Sequence, residues 1–521
     1  MDSQRESAIK SRREYFFVEL RKKSNGTHFD RERKKRERNN GSLTESSLFE
    51  PEKLVLLFCC LEDFANGVKN DLPELLALLD KIKNGITHSN HPNFSYFILD
   101  LNTKGLLVKF FYLFEEWTNS LYRALSQNEH KRPIEEVLNH ITWIISSIFQ
   151  ASPEVINIFF KEQYLRNLIH LITYEEPNLV ANVFWALSNL VAENVEMFAI
   201  FTKFKILKIA DETIENFYKK DEAFVDLITP AYIKFVSSLL NTEPVMTSED
   251  TLKYIEVFIR IYISKHSVIK PVEVNLIGVI GSFFNQNSEE ECQKVLESSR
   301  FQEFFHILVQ SSKENKEVLE AAGFLIANIT SFSSDECVEA CNQLDLISII
   351  RAGLKSDQPK LISDCCIAFS NIIFGGSYFI KDIFNDSELI PQVLYLINFK
   401  DGHVFSDALR VLRNIVGESN LPEIKSFFRS NEEIIDLIVG RMSLAKPADE
   451  ICKIFAILSG IFDIGEELIK EDEEDSNIFT DRVLRDDRLI NHIESLQDHC
   501  SLTVREYVRD FIEEYFEVHK I

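Results

Sequence analysis

Hydrophobic residues recur at helical spacing along most of this chain, in blocks that short polar breaks separate. The pattern is clearest over residues 183–193, which read VFWALSNLVAE. Trp185, Asn189 and Glu193 are spaced four apart, so on an α-helix all three project from one face. The apolar residues of the stretch fall on the remaining faces: Phe184, Leu187, Leu190 and Val191. The pattern therefore predicts a largely buried helix with an indole, a carboxamide and a carboxylate along one narrow strip.

The polar position at Asn189 recurs through the chain. Aligning the helical blocks on it gives a series of equivalent residues: Ser147, Asn189, Ser238, Ser282, Asn328, Asn371, Asn414 and Gly460. Successive members are 42 to 49 residues apart. An all-helical period in the low forties is typical of armadillo or HEAT repeats, whose neighbours stack to share one core. We therefore predict an all-α fold over residues 51–521, a right-handed superhelix of about ten armadillo repeats with Ser and Asn side chains along a concave groove.

The chemistry of the strip suits an extended basic peptide. Such a peptide offers a cation to Glu193, an aliphatic stem to the face of Trp185, and backbone N–H and C=O groups to Asn189. The alternative is that Trp185 is an ordinary core residue and Asn189 a capping or solvated one. Recurrence of the polar position favours the binding interpretation.

Length and composition narrow the class of protein. A chain of 521 residues exceeds the usual limit for a single core, which favours several domains or a repeat array. The longest apolar run, residues 54–61, is too short to span a bilayer, and the charged N-terminus has no signal-peptide core. We expect no membrane insertion.

The nine cysteines lack zinc-site spacing, so we expect reduced core thiols, no metal site and no cofactor.

Charge is distributed unevenly along the chain. Residues 1–40 contain 13 Lys and Arg against 7 Asp and Glu, a net charge of +6. The whole chain has a net charge of −25, so residues 41–521 have a net charge of −31. The acidic body should attract basic partners and its own basic arm, and it should repel nucleic acid. We therefore expect no direct nucleic-acid binding, and we assign residues 1–45 to a basic arm and linker.

A basic arm, a linker and helical repeats that contain WALSN resemble importin-α, the adapter that carries cargo with a nuclear localisation signal. The resemblance extends over essentially the whole chain. In the arm it rests on residues 12–22 and 34–36. In the repeats it rests on residues 184–190, on 364–377, and on a terminal IESLQ at 493–497.

For the arm, the resemblance implies an importin-β-binding domain that also occupies the groove while it is free. The residues implied to do this are Arg12, Arg13, Leu20, Arg21, Lys22, Lys34, Lys35, Arg36 and Arg38. It also implies a protein that shuttles between cytoplasm and nucleus, with importin-β, basic cargo proteins and a nuclear export factor as partners.

For the groove, the resemblance implies two cargo sites. The major site would use Trp143, Ser147, Trp185, Asn189, Glu193 and Ser238. The minor site would use Asn328, Asp364, Asn371, Asp407 and Asn414. Glu193 stands where the family has the carboxylate that pairs with the key lysine of the signal.

Several positions depart from the family pattern. Lys234 and Ser238 stand where Trp and Asn are expected in the fourth repeat, and Ile367 and Arg410 replace both indoles of the minor site. A cation over an aromatic ring is worth ~0.5–2 kcal/mol. We therefore expect the minor site to bind basic cargo less strongly than the major site.

Motifs of enzymes are missing from the sequence. It contains no HExxH, no phosphate-binding GxxxxGK[ST] and no GxSxG. Asp364 and Asp407 belong to different repeats and indicate groove acidity rather than an acid/base pair. We expect no catalysis. The alternative function is an armadillo scaffold without a transport role, which would have no need of the basic residues between positions 12 and 38.

Overall fold

A computed structural model describes most of the chain, and every regular element in the described residues is helical. The described residues are 50–86, 93–127, 131–151, 153–192, 195–220, 222–240, 248–269, 272–332, 334–374, 379–417, 422–442, 448–471, 476–485 and 487–516. They form two compact units, one ending at Val279 and the other beginning at Ile280. The predicted basic arm, residues 1–45, lies outside the described residues.

The first unit contains helices α1 to α12 and the first half of α13. Their bounds are α1 Pro51–Ala65, α2 Leu72–Ile86, α3 Phe94–Thr103, α4 Leu106–Gln127, α5 Arg132–Ile148, α6 Pro153–Phe159, α7 Glu162–Ile172, α8 Pro177–Val191, α9 Val195–Lys203, α10 Ile206–Lys220, α11 Glu222–Leu240, α12 Ser248–Ile269 and α13 Glu273–Gln286. The boundary between the units falls inside α13.

The second unit contains the second half of α13, helices α14 to α28 and a short 3₁₀ helix. Their bounds are α14 Glu289–Leu296, α15 Ser299–Glu314, α16 Lys316–Ile329, α17 Asp335–Asn342, α18 Leu346–Leu354, α19 Pro359–Phe374, α20 Ile380–Asn385, α21 Leu389–Leu396, α22 Gly402–Gly417, α23 Pro422–Ser430, α24 Ile434–Met442, α25 Ala448–Lys470, α26 Ile478–Leu484, α27 Asp487–Ser495, the 3₁₀ helix Leu496–Asp498 and α28 Leu502–Tyr515.

Most repeats consist of a short first helix, a second helix and a long third helix. In the first unit, α6, α7 and α8 form one such repeat, and in the second unit α17, α18 and α19 form another. Helices of the same kind pack together: α3 on α6 and α14 on α17 are first helices, while α4 on α7 and α18 on α21 are second helices. Like packs on like because each repeat buries its apolar face against its neighbour.

The third helices form the most extensive stacks in both units. In the first unit α2 packs on α5, α5 on α8, and α8 on α11. In the second unit α16 packs on α19, α19 on α22, α22 on α25, and α25 on α28. The predicted all-α, armadillo-type repeat architecture is confirmed within both units.

Aromatic side chains fill the interior between stacked repeats. Phe184 of α8 is fully buried, with its ring stacked at 5.7 Å from that of Phe235 on α11. Phe284 of α13 and Phe301 of α15 meet edge to face at 5.4 Å. Truncating a buried Phe to Ala typically costs about 3–5 kcal/mol. These rings therefore make a large contribution to the stability of each stack.

Local sequence sets where many helices begin. Proline occupies the first turn of α1, α5 and α8, where its missing N–H costs nothing. Ser288 and Glu291 form a capping box at the start of α14. Asn315 accepts a hydrogen bond from the N–H of Glu317 and caps α16.

Two glycines permit close approach between helices in the second unit. A Cβ added to Gly460 of α25 would lie 2.9 Å from the Cβ of Val416 on α22. A Cβ on Gly323 of α16 would lie 2.5 Å from the Cδ1 of Leu361 on α19. At the recurring polar position, α25 therefore has a glycine instead of Ser or Asn, because this helix packs too closely on α22 to leave room for a side chain.

Within the described residues, no helix combines the length and the apolar content that crossing a membrane requires.

Candidate peptide-binding surface

Helix α8 presents the predicted strip at the surface of the first unit. Glu176 caps the helix by accepting a hydrogen bond from the N–H of Leu179 at 2.6 Å. Trp185 and Asn189, one turn apart, are both partly exposed, whereas Phe184 and Ser188 are buried. The helix therefore places an indole and a carboxamide side by side at the edge of the packed core. Glu193 lies outside the described residues.

The side chain of Asn189 also connects two repeats. Its Nδ2 donates to the backbone carbonyl of Ser146 on α5 at 2.7 Å. Two turns earlier on α8, the Nδ2 of Asn182 donates to the carbonyl of Asn139 on α5 at 3.2 Å. Polar residues seven apart on α8 therefore bind the third helix of the preceding repeat at two points.

The second unit repeats this arrangement at the equivalent positions. Asn414 of α22 donates to the carbonyl and the Oγ of Ser370 on α19, both at 2.8 Å. Asn371 of α19 donates to Thr330 at 3.3 Å, and Asn328 of α16 donates to the carbonyl of Gly281 at 3.2 Å. The recurring asparagines are therefore inter-repeat links as well as surface groups.

The series of recurring polar positions from Ser147 to Gly460 is called the ladder below. Its other two members in the predicted major site, Ser147 and Ser238, are buried. Ser147 is 3% exposed, and its Oγ donates to the carbonyl of Trp143 on its own helix at 3.4 Å. Ser238 is 5% exposed, with its Oγ 3.2 Å from that of Ser188 on α8. Lys234, which stands where the resemblance to importin-α predicts a Trp in the fourth repeat, is buried as well. Among the described residues of the predicted major site, partial exposure is therefore confined to Trp185 and Asn189.

Trp143 of α5 is also buried, with 5% of its surface exposed. The Nζ of Lys83, on α2 of the preceding repeat, lies 5.2 Å from the centroid of its ring. A cation at this distance is attracted by the negative face of the indole. A lysine of the chain itself therefore covers the first of the two predicted indoles.

His140 lies one turn before Trp143 on α5. Burial lowers the pKa of His140, and the nearby charge of Lys83 lowers it further. Asp80 and Glu136 act in the opposite direction. The imidazole is therefore neutral at pH 7, and the cation beside Trp143 is Lys83.

The predicted minor-site acids are buried in the second unit. Asp364 is 2% exposed and Asp407 is 8% exposed. The Oγ of Ser363 donates to Asp407, and the Nη1 of Arg410 lies 3.2 Å from its other carboxylate oxygen. Ile367, at one of the two missing indole positions, is 8% exposed. The carboxylate of Asp407 is thus engaged by groups of its own unit.

A second set of polar residues lies seven positions before three members of the first series, Asn189, Asn414 and Gly460, and the sequence did not predict that it links repeats. Asn182 and Asp407 belong to it, and so does Lys453, whose Nζ donates to the Oγ of Ser406 at 2.9 Å. Each of these three residues bonds the third helix one repeat earlier. A polar residue two turns before Asn189, Asn414 and Gly460 was the signal that could have revealed these links.

The structure describes none of the arm residues predicted to bind importin-β or the groove. Those residues are Arg12, Arg13, Leu20, Arg21, Lys22, Lys34, Lys35, Arg36 and Arg38.

No cluster of three or more His, Cys, Asp or Glu in the described part of the chain is arranged to hold a metal ion. Burial raises the pKa of the Cys365 and Cys366 thiols well above the ordinary value.

Comparison with solved structures shows a shared fold. An engineered protein from a structural genomics consortium superposes with a TM-score of 0.59 at 15% identity, over 89% of this chain and 98% of the other. A designed armadillo repeat protein in complex with the peptide (KR)4 matches 51% of this chain and 99% of its own at 15% identity, with a TM-score of 0.38. At that TM-score the second similarity does not bear on this chain. No family model matches the sequence, and no curated protein matches it.

Proposed function

We propose that this protein is a non-catalytic adapter that binds extended lysine-rich segments across the third helices of its first unit. The observation that carries the proposal is the partly exposed pair Trp185 and Asn189, one turn apart on a helix whose residues 179–191 are otherwise buried apart from Asn182. A lysine stem can lie against the indole, and the carboxamide can bond the backbone of an extended chain.

Charge favours the same class of ligand. Residues 41–521 have a net charge of −31, which attracts cationic segments from solution and accelerates their encounter. The packing of the third helices also favours binding. The hydrogen bonds of Asn182 and Asn189 hold α8 against α5, so the backbone of these helices is fixed before a peptide binds. A surface that is held rigid before binding loses little conformational freedom when a peptide docks.

We further propose that the adapter serves nuclear import. The basis is the resemblance of the arm and repeats to importin-α. In this proposal the arm, residues 1–45, competes with cargo for the groove until importin-β removes it. A short flexible tether gives the arm an effective concentration on the order of mM. The protein then shuttles between cytoplasm and nucleus, and an export factor recycles it.

A titration of a fluorescent peptide with one lysine-rich signal tests the binding step. Full-length protein and protein that lacks residues 1–45 are compared, with a peptide whose lysines are replaced by serine as the control. We expect the lysine peptide alone to bind, and to bind more tightly after the deletion. Equal binding of both peptides would contradict the proposal, and equal affinity of both proteins would remove the competition by the arm.

Capture by importin-β tests the transport step. Residues 1–45 fused to a carrier should retain purified importin-β, whereas the same fusion with Arg12, Arg13, Lys35 and Arg36 changed to alanine should not. Failure to retain importin-β, together with intact peptide binding, would favour a peptide-binding scaffold without a transport role.

A further inference from the structure

The contact between Lys83 and Trp143 joins the third helices of two neighbouring repeats. Lys83 is in the last turn of α2, where a cation is favoured by the partial negative charge at the helix C-terminus. Ile82 and Ile86 beside it are fully buried, which fixes the backbone from which the side chain extends. The Nζ therefore reaches the ring of Trp143 at 5.2 Å from an anchored position.

The two indoles of the first unit differ in how far solvent reaches them. Trp143 is 5% exposed beneath its cation, whereas Trp185 is partly exposed. Both stand four residues before an aligned ladder position, Ser147 and Asn189 respectively. Equivalent positions in two repeats therefore differ in solvent exposure, and Lys83 lies over the less exposed indole ring.

We propose that Lys83 is an internal competitor of the basic ligand, seated on the indole that a ligand lysine would otherwise contact. The inference rests on the proposed function. Two cations repel each other and one ring face accommodates one ammonium group, so a ligand must displace Lys83 to reach Trp143. Lys83 thereby weakens binding at α5 and leaves Trp185 as the principal anchor for a lysine side chain. It is a specificity-determining residue, because it favours ligands that do not require the first indole.

Acrylamide quenching tests the contact without any ligand. In the full chain, Trp117→Phe and Trp185→Phe leave Trp143 as the single tryptophan. Adding Lys83→Ala should increase the quenching constant of Trp143 about twofold or more. Adding Lys83→Met should increase it less, because a methionine stem still covers part of the ring. Lys81→Ala is the matched control, since Lys81 is exposed on the same helix. A quenching constant that Lys83→Ala leaves unchanged would overturn the contact.

Peptide affinity tests the competition. In the otherwise unchanged full chain, Lys83→Met should lower the Kd for the lysine-rich peptide by roughly threefold to tenfold, the range expected when a cation–π contact no longer has to be broken. Lys81→Met removes the same charge at a distance from the indole, so it measures the general electrostatic effect. With Trp143→Ala in the background, Lys83→Met should give no more than the Lys81→Met effect.

The outcomes separate this inference from the proposed function. If the peptide binds and Lys83→Met matches Lys81→Met, the competition is wrong and the adapter proposal stands. If neither the unaltered protein nor Lys83→Met binds the peptide, both proposals are wrong, while the quenching result still shows whether Lys83 covers Trp143.

Discussion

The two units use the same repeat position in different ways. In the first unit the residue four places before the ladder position is an indole in two repeats, Trp143 and Trp185. In the second unit the corresponding residues of α19 and α22 are Ile367, which is buried, and Arg410, which pairs with Asp407. The first unit therefore retains two indoles at this position, of which Trp185 is partly exposed, whereas the second unit has a buried aliphatic residue and an ion-paired arginine there.

The ladder itself differs less than the positions around it. Asn189 in the first unit and Asn414 in the second both donate to a serine carbonyl one repeat earlier, at 2.7 and 2.8 Å. The asparagines therefore hold third helices together wherever they occur. In the proposed function, selectivity between ligands comes from the neighbours of these asparagines, and those neighbours differ between the units.

The largest expected effect concerns Gly460. At this position of the ladder the second unit has a glycine and therefore no side chain. Gly460→Ala should reduce the free energy of unfolding by about 1–3 kcal/mol, because the new Cβ meets the branched side chain of Val416 at 2.9 Å. Gly278→Ala in the first unit is the control, since its Cβ would meet nothing within 4 Å. It should raise stability by about 0.5–1 kcal/mol. Urea denaturation measures both, and equal effects would contradict the close packing of α25 on α22.

Peptide binding should depend on the first unit more than on the second. Trp185→Ala should weaken binding of the lysine-rich peptide about tenfold, which corresponds to about 1.4 kcal/mol, because the lysine stem and its charge lose the indole. Trp117→Ala removes another partly buried tryptophan of the first unit and should leave the affinity unchanged. Ile367→Ala in the second unit should change it less than twofold. Fluorescence anisotropy measures all three, and equal losses for Trp185 and Ile367 would erase the distinction between the units.

The ladder links should be similar in strength in the two units. Asn414→Ala and Asn189→Ala should each cost about 1 kcal/mol of unfolding free energy, the usual net value of a hydrogen bond. Asn414 should cost slightly more because it makes two bonds of 2.8 Å, whereas the second bond of Asn189 is 3.5 Å long. Asn119→Ala, on the exposed side of α4, is the control in urea denaturation. A loss of stability for only one of the two substitutions would show that the inter-repeat hydrogen bond does not stabilise both units.

The smallest expected effect is a pH dependence specific to the first unit. Because the pKa of His140 is lowered in the folded protein, the unfolded chain takes up a proton first as the pH falls through the ordinary value of 6.5. This contribution lowers stability below about pH 6.5 and is absent above it. His140→Gln should therefore reduce the loss of stability between pH 7.5 and 5.5, as urea midpoints would show. Lys83→Met should act in the same direction, because Lys83 also lowers that pKa. An identical pH dependence in all three proteins would contradict this account of His140.

Much of the architecture could be predicted from the sequence. The period of 42 to 49 residues and the helical spacing of apolar positions predicted stacked helical repeats, and both units contain them. Burial of Phe184 and partial exposure of Trp185 also agree with the pattern, because helical periodicity alone assigns residues to faces.

Tertiary structure decided how each polar residue is used. Sequence by itself determined that Asn189, Asn328 and Asn414 share one register, but their amide groups bond the preceding repeat because stacking brings a helix carbonyl within 3.2 Å. In the same way, sequence placed Trp143 and Trp185 at equivalent positions, and only the packing of α2 on α5 brings Lys83 over one ring. Spacing along a helix fixes the direction in which each side chain points. The exposure of that side chain and its bonding partners depend on residues some forty to sixty positions away in the chain. No local pattern shows which of those residues will lie close to it.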